Sequence, residues 1–356
     1  MELPSNSGTE QLLTGEDLSE IDFEIIPKLL FKNEVNPLPS DLNEASIVFN
    51  GKDQMTLYPS FKPELKLGET LCSSARFTKS LDKIGWDRLY IKSYQSCSPV
   101  IQMWTNGFLE GLLTSKDVFN FFDNLVAMDS FSDPKILENL NKFFETVEGH
   151  IRRKITNEKI KSYKDESLLF YTHIAFSQIQ TDGMSVGINY NSKRKLSMNE
   201  LFLINADGQV PEFSVLFKDY PFPKQGKQRF MHSEEEINKF DMKRLFKRFN
   251  TSNIETLYLK LSEIGHCSVL LKLLRDSDGN IEDFLAAHST WDEYSEMIRI
   301  FKKYEFELGG EEAKSLAIKP NDVTFSSYPG VMISTDDYYV TNKNLLVMET
   351  SLEMLV

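Results

Sequence analysis

Cysteine is scarce. The 356-residue chain holds three, Cys72, Cys97 and Cys267, too few for a disulfide framework. A single Cys72–Cys97 bridge that leaves Cys267 free, and three unpaired thiols, both remain open from the sequence. No C-x-x-C pair or Cys/His cluster occurs, and with five histidines in the whole chain no zinc ligand set suggests itself. No metal and no cofactor is expected. Positive charge is short as well. Forty Lys and Arg stand against 53 Asp and Glu, for a net charge of −13. Such a chain repels phosphate backbones and gains no general attraction to anionic lipid, so nucleic acid is excluded as a partner. Long apolar runs are missing, which excludes a transmembrane segment. The opening stretch "MELPSNSGTEQLLTGEDLSEIDFEIIPKLL" lacks the basic and apolar regions of a signal peptide, and on its face describes a cytosolic chain.

What is present is core material. Apolar residues make up 41% of the chain, with 26 Phe and 13 Tyr, which excludes global disorder. Residues 1–65 are acidic, carry several prolines and have only short apolar runs, so they are expected to be loosely structured. Residues 66–356 are expected to form one domain, with an exposed, charge-dense insertion at about 214–255. "DRLYIKSY" (87–94) has strand character. "SKDVFNFFDNLVAM" (115–128) has a serine cap and apolar Val118, Phe121, Phe122 and Leu125 at helical spacing. Residues 133–155 form a stronger helix, with Asp133 as cap, Pro134 at the first position and a stripe of Ile136, Leu140, Phe143, Phe144, Val147 and Ile151. "ELFLINADGQVPEF" (200–213) reads as a strand and an Asp-Gly turn.

After Cys267 the pattern becomes β. "CSVLLKLL" and "EDFLAAH" (282–288) flank "RDSDGN", whose Asp-Gly fits a hairpin turn. The "DSDGN" run fails as a calcium loop, because Ile281 stands where glycine is needed and Ala287 where a bidentate glutamate is needed. "STWDEYSEMIRIFKKYEF" is expected to be an amphipathic helix, capped by Thr290 and Glu293, with Tyr294, Met297, Ile298 and Phe301 facing inward. Residues 330–340 and 344–351 read as closing strands.

Cys267 opens the first strand of the hairpin, and its thiol needs a proton acceptor to become a nucleophile. His266 is adjacent but points to the other face of a strand. His288, at the end of the next strand, comes near the start of the first in an antiparallel pair. A second route to activation is cleavage of the bond before Cys267. The freed α-amine, with an ordinary pKa of roughly 7.7–8.0, is then itself a base. "EIGH" before "CSVLLKLL" fits that layout, with Gly265 giving the turn its freedom. A lipase acting through serine in G-x-S-x-G is set aside, because no such motif is read in the chain.

These segments resemble the phospholipase B-like family, lysosomal or secreted proteins of the N-terminal-nucleophile hydrolase fold. The likeness runs through "GWDRLYIKS", "NGFLEGLLTSKDVFNFFDN", "FLINADGQVPEF", "GHCSVLLKLL", "AAHSTWDEYSEMIRIFKKYEF" and "FSSYPGVMISTDDYYVTNKNLLVMETS", roughly residues 70–356. It implies an α+β fold, a four-layer αββα sandwich of mainly antiparallel sheets. It implies that Cys267 is the nucleophile freed by autocleavage after His266, that His288 and Trp291 line the active site, and that Thr350 lies near the nucleophile. Trp291 also fits a core position, and Thr350 a strand. The implied activity is hydrolysis of an acyl ester of a phospholipid, or of an amide, with no cofactor. The alternative is a non-catalytic relative that binds lipid or a protein partner. The resemblance also implies lysosomal or secreted localisation, against the visible N-terminus. It makes Asn250, in Asn250-Thr251-Ser252, a glycosylation candidate. Family members continue past the position matching Val356, through a block resembling N-S-G-T-Y-N-N-Q-W with an asparagine suited to an oxyanion hole, so the reading expects a truncated C-terminus.

Overall fold

The computed structural model describes residues 30–33, 38–50, 54–127, 134–157, 166–206, 247, 250–253, 256, 267–290, 294, 297–308, 321–334, 336, 338–342 and 345–349. Most of the 214–255 insertion, the Asp133 cap and residues 207–213 lie outside them. The chain is α+β. Five strands come first: β1 (Leu30–Asn33), β2 (Glu44–Phe49), β3 (Gln54–Tyr58), β4 (Thr70–Thr78) and β5 (Asp87–Ser93), with the short helix α1 (Leu81–Ile84) before β5. Helices α2 (Pro99–Val126), α3 (Pro134–Asn157), α4 (Glu166–Tyr190) and α5 (Met198–Asn205) follow. The last part supplies β6 (Cys267–Arg275), β7 (Ile281–Thr290), β8 (Ile300–Phe306), β9 (Asn321–Ser327), β10 (Tyr338–Thr341) and β11 (Leu346–Met348).

Nine strands form one sheet in the order β1-β3-β2-β4-β5-β8-β9-β10-β11, and β6-β7 stand apart as a two-stranded sheet. Pairing is antiparallel except at β1–β3 and β5–β8. Strands β2 and β3 fall in the stretch expected to be loosely structured, yet Ala45, Ile47, Met55 and Leu57 are completely buried. Each run is only five or six residues, so its apolar pattern was too short to register until pairing completed it.

Helix α2 lies against the sheet. Its Trp104, Phe108 and Leu109 pack with Ile47, Leu57, Leu89 and Ile91. The expected serine-capped helix at 115 is the last part of this 28-residue helix, which starts at Pro99 behind an Ser98 cap that accepts from the Ile101 amide. Val118, Phe121, Phe122 and Leu125 are buried as their spacing required, against Leu140 and Phe144 of α3. Along the α3 stripe Phe143, Val147 and Ile151 are half-buried.

Helices α2 and α4 meet backbone to backbone. A Cβ on Gly107 would stand 1.9 Å from the Gln180 carbonyl oxygen, and one on Gly111 2.2 Å from that of Met184. From the other side, Gly183 and Gly187 face the carbonyls of Trp104 and Phe108 at 2.0 Å each. Two glycines four residues apart on each helix let the backbones approach as no side chain would.

Two sequence expectations are overturned. The strand expected from residue 200 is helical through Asn205. The Ser197 hydroxyl accepts from the Glu200 amide while the Glu200 carboxylate accepts from the Ser197 amide, and this capping box starts α5. Ser197→Ala is expected to lower stability by about 1 kcal/mol in denaturant titration. The helix expected over 289–306 gives way to strand at both ends. Thr290 closes β7, and Ile300–Phe306 is β8. Ile300, Lys302 and Tyr304 alternate inward, and β5 and β9 pair with both edges, so a period of two prevails. Tyr294, expected to face inward, is 89% exposed. The closing strand is also shorter at its start, since Gly330–Ser334 is a loop.

Cys72 of β4 and Cys97, just before the α2 cap, form a disulfide with Cα atoms 5.2 Å apart. The bridge uses two of the three cysteines.

Candidate active site

The hairpin forms where its apolar runs and Asp-Gly predict. Gly279 has φ +85°, which favours glycine at the turn. The Asp276 carboxylate accepts from the amides of Asp278 and Asn280 at 2.9 and 2.8 Å and from the Asn280 side chain at 3.1 Å. The Asn280 side-chain bond, followed by these amides, holds its carboxyl below the usual carboxylate range. Both oxygens of Asp276 are thus taken up by the turn. Among the described residues, no group of three or more His, Cys, Asp or Glu converges to hold a metal.

The register carries the chemistry. Cys267 opposes Thr290, Ser268 opposes Ser289 and Val269 opposes His288. Positions 267 and 288 are therefore diagonal neighbours on one face of the hairpin, a relation that typically spans about 7–8 Å. His288 is half-buried, and its Nδ1 lies 3.2 Å from the Thr290 hydroxyl. Val269, Leu271 and Leu273 continue the face that begins at Cys267, opposite His288, Ala286 and Phe284. Leu271 is 71% exposed. His266, Trp291 and Thr350 lie outside the described residues. Asn250 is exposed, with φ +45° in a turn whose amide donates to the Lys247 carbonyl at 3.3 Å.

The serine route needs a correction. The string G-x-S-x-G does occur, as Gly183-Met184-Ser185-Val186-Gly187. It lies inside α4, and its two glycines are those pressed against α2. A nucleophile elbow requires a strand-to-helix turn that lifts the serine out of the backbone. A mid-helix Ser185 has no such turn, so the glycines here serve helix packing.

One cluster of ionisable groups went unseen in the sequence. Lys302 is completely buried, and its Nζ donates to Glu110 Oε1 at 2.8 Å and to the Val331 carbonyl. The Tyr304 hydroxyl donates to Glu110 Oε2 at 2.5 Å. Burial lowers the Lys302 pKa against the pull of Glu110, and burial with the adjacent carboxylate raises that of Tyr304. Reading "IFKKYEF" as a strand would have aimed Lys302 inward. The helical reading hid it.

A family profile described as phospholipase B matches residues 73–355. The chain belongs to the phospholipase B family. It is similar to phospholipase B-like 1 of Homo sapiens, 27% identical over 282 residues, which cover 77% of this chain and 42% of that protein. Phospholipase B-like protein C of Dictyostelium discoideum is 24% identical over 316 residues, covering 85% and 48%. The phospholipase B of Crotalus adamanteus is 26% identical over 284 residues, covering 77% and 44%. The chain thus spans less than half the length of these relatives. Among its described residues, no helix is long and apolar enough to cross a membrane.

Proposed function

We propose that this chain belongs to a phospholipase-type hydrolase that is cut before Cys267 and then uses Cys267 as its nucleophile. The observation that carries the reading is the hairpin register. The described part of β6 runs from Cys267, with His288 at the diagonal position on the same face. Membership of the phospholipase B family supports the hydrolase class.

In the first stage the Cys267 sulfur attacks the His266 carbonyl carbon. The C–S bond forms, the peptide C–N bond breaks, and the departing nitrogen takes the thiol proton. Water then cleaves the thioester, which leaves a carboxylate on His266 and returns the thiol. In the second stage the free α-amine of Cys267 accepts the thiol proton. The thiolate attacks an ester or amide carbonyl of the substrate, the alcohol or amine leaves, and water hydrolyses the resulting thioester. His288 orients or polarises, Trp291 forms an apolar wall, and Thr350 lies beside the nucleophile. The accompanying fold reading is the four-layer αββα sandwich, with β6-β7 in the second sheet. Lysosomal or secreted localisation fits the buried Cys72–Cys97 bridge, since disulfides persist in oxidising compartments. Asn250 then becomes a glycan acceptor.

The test is the intact mass of purified protein held at mildly acidic pH, beside Cys267→Ala. The wild type is expected to yield fragments 1–266 and 267–356, together heavier by one water, and the variant to stay whole. Cleaved protein is then offered phospholipid vesicles and an N-acyl amide, and the released product separates esterase from amidase. A folded wild type that never cuts sinks the nucleophile assignment and leaves the non-catalytic, lipid- or protein-binding reading.

A further inference from the structure

The nine-stranded sheet is built from two parts of the chain. Strands β1–β5 and helices α1–α5 precede residue 207, and β8–β11 follow residue 266. The parts meet within the sheet at one parallel ladder, β5 on β8, from Asp87↔Ile300 to Lys92↔Glu305. The only disulfide among the described residues lies wholly within the first part. A chain cut anywhere between residues 207 and 267 is therefore held together across this joint by non-covalent contacts.

At the joint lies the Glu110–Lys302–Tyr304 cluster. Glu110 comes from the first part, Lys302 and Tyr304 from the second, 192 and 194 residues away. Glu110 and Lys302 are both completely buried, and Tyr304 is 4% exposed. We propose that these three residues are a mating lock, which keeps the two polypeptides left by cleavage as one particle and fixes the register of β8 against β5 and α2. The cleavage at His266–Cys267 supplies its physiological setting, and in that respect the inference rests on the function proposed above.

The physical argument is one of mismatch. A buried ion pair adds little net stability over apolar packing, but removing one partner strands a charge in the core. A shift of β8 by one residue would turn Lys302 and Tyr304 to the other face of the sheet and bring Lys303 inward beside either Glu305 or Phe301. Glu110 would then meet a second carboxylate or an apolar ring in place of its paired lysine and tyrosine. Apolar neighbours such as Leu89 and Phe325 tolerate small slips, whereas the ion pair does not. The lock also reaches the loop after β9. Lys302 and the Ser327 hydroxyl both donate to the Val331 carbonyl. Asn205 of α5 clasps the same loop, donating to the Gly330 carbonyl at 2.8 Å and accepting from the Met332 amide at 3.0 Å.

The experiment separates the lock from self-cleavage. A Cys267→Ala chain of all 356 residues carries a site-specific protease sequence inserted after residue 226. It is immobilised by an N-terminal tag, cut and washed, and release of the C-terminal polypeptide is timed. With the lock intact the cut protein is expected to stay whole. Lys302→Met is expected to speed release on the order of a hundredfold or more, by stranding Glu110. Tyr304→Phe, a milder change that leaves the ion pair, is expected to speed it about tenfold. Circular dichroism before cutting checks that each variant is folded. If the unaltered protein falls apart on cutting, or both variants release at the unaltered rate, the lock is refuted. Neither result depends on whether Cys267 cleaves its own chain.

Discussion

Gly107→Ala is expected to abolish the folded protein or to lower its melting temperature sharply. The added Cβ would sit 1.9 Å from the Gln180 carbonyl oxygen. Relief requires moving one helix backbone away from the other, because the obstacle is not a flexible side chain. Overpacking in a core costs about 1–3 kcal/mol where side chains yield, and here the first atoms to yield are main chain. Gly183→Ala meets the Trp104 carbonyl at 2.0 Å and is expected to behave alike. Gly149→Ala on α3 is the control. Its Cβ would meet only the Arg153 guanidinium at 3.8 Å, so replacing glycine within a helix is expected to stabilise by roughly 0.5–1 kcal/mol. Thermal melts of the three variants decide the matter. If Gly107→Ala and Gly149→Ala shift the transition equally, the close crossing of α2 and α4 is wrong.

Loss of the Cys72–Cys97 bridge is the second large expectation. The bridge joins positions 25 residues apart, and closing a loop of that size restricts the unfolded chain by about 3 kcal/mol. The paired Cys72→Ala, Cys97→Ala variant is expected to lose at least this much in guanidinium titration. Cys72 is completely buried and Cys97 6% exposed. Added reductant is therefore expected to leave the native protein oxidised over hours and to act only once the chain is partly unfolded. Thermal scans with and without reductant, with free thiols counted at each step, test this. Two thiols appearing at once in native protein would mean that the bridge is open to solvent.

Much of the fold was legible where a local signal was long or chemically explicit. Residues 134–157 declare a helix through Pro134 and a stripe sustained over several turns. The β6–β7 hairpin declares itself through Asp-Gly between two apolar runs, and that register brings positions 267 and 288 to one face. The capping box at Ser197 was equally explicit, but the unbroken apolar run Leu201–Ile204 beside it reads as strand or helix alike.

Other features had no local signal to read. β2 and β3 are short runs whose burial comes from neighbours far along the chain. "IFKKYEF" satisfies a helical spacing about as well as an alternating one, and β5 and β9 on its two edges make it a strand. The glycines at 183 and 187 spell a serine-hydrolase string, and only the crossing with α2 shows that they serve close packing. The sequence alone determined the hairpin, its turn, the shared face of positions 267 and 288 and the family. Tertiary structure decided the pairing of Cys72 with Cys97, the crossing of α2 with α4, and the burial of Lys302 against Glu110. The physical reason is the same in each case. A period or a turn residue acts over a few positions, whereas a bond between residues 192 apart forms only when packing brings both ends to one place.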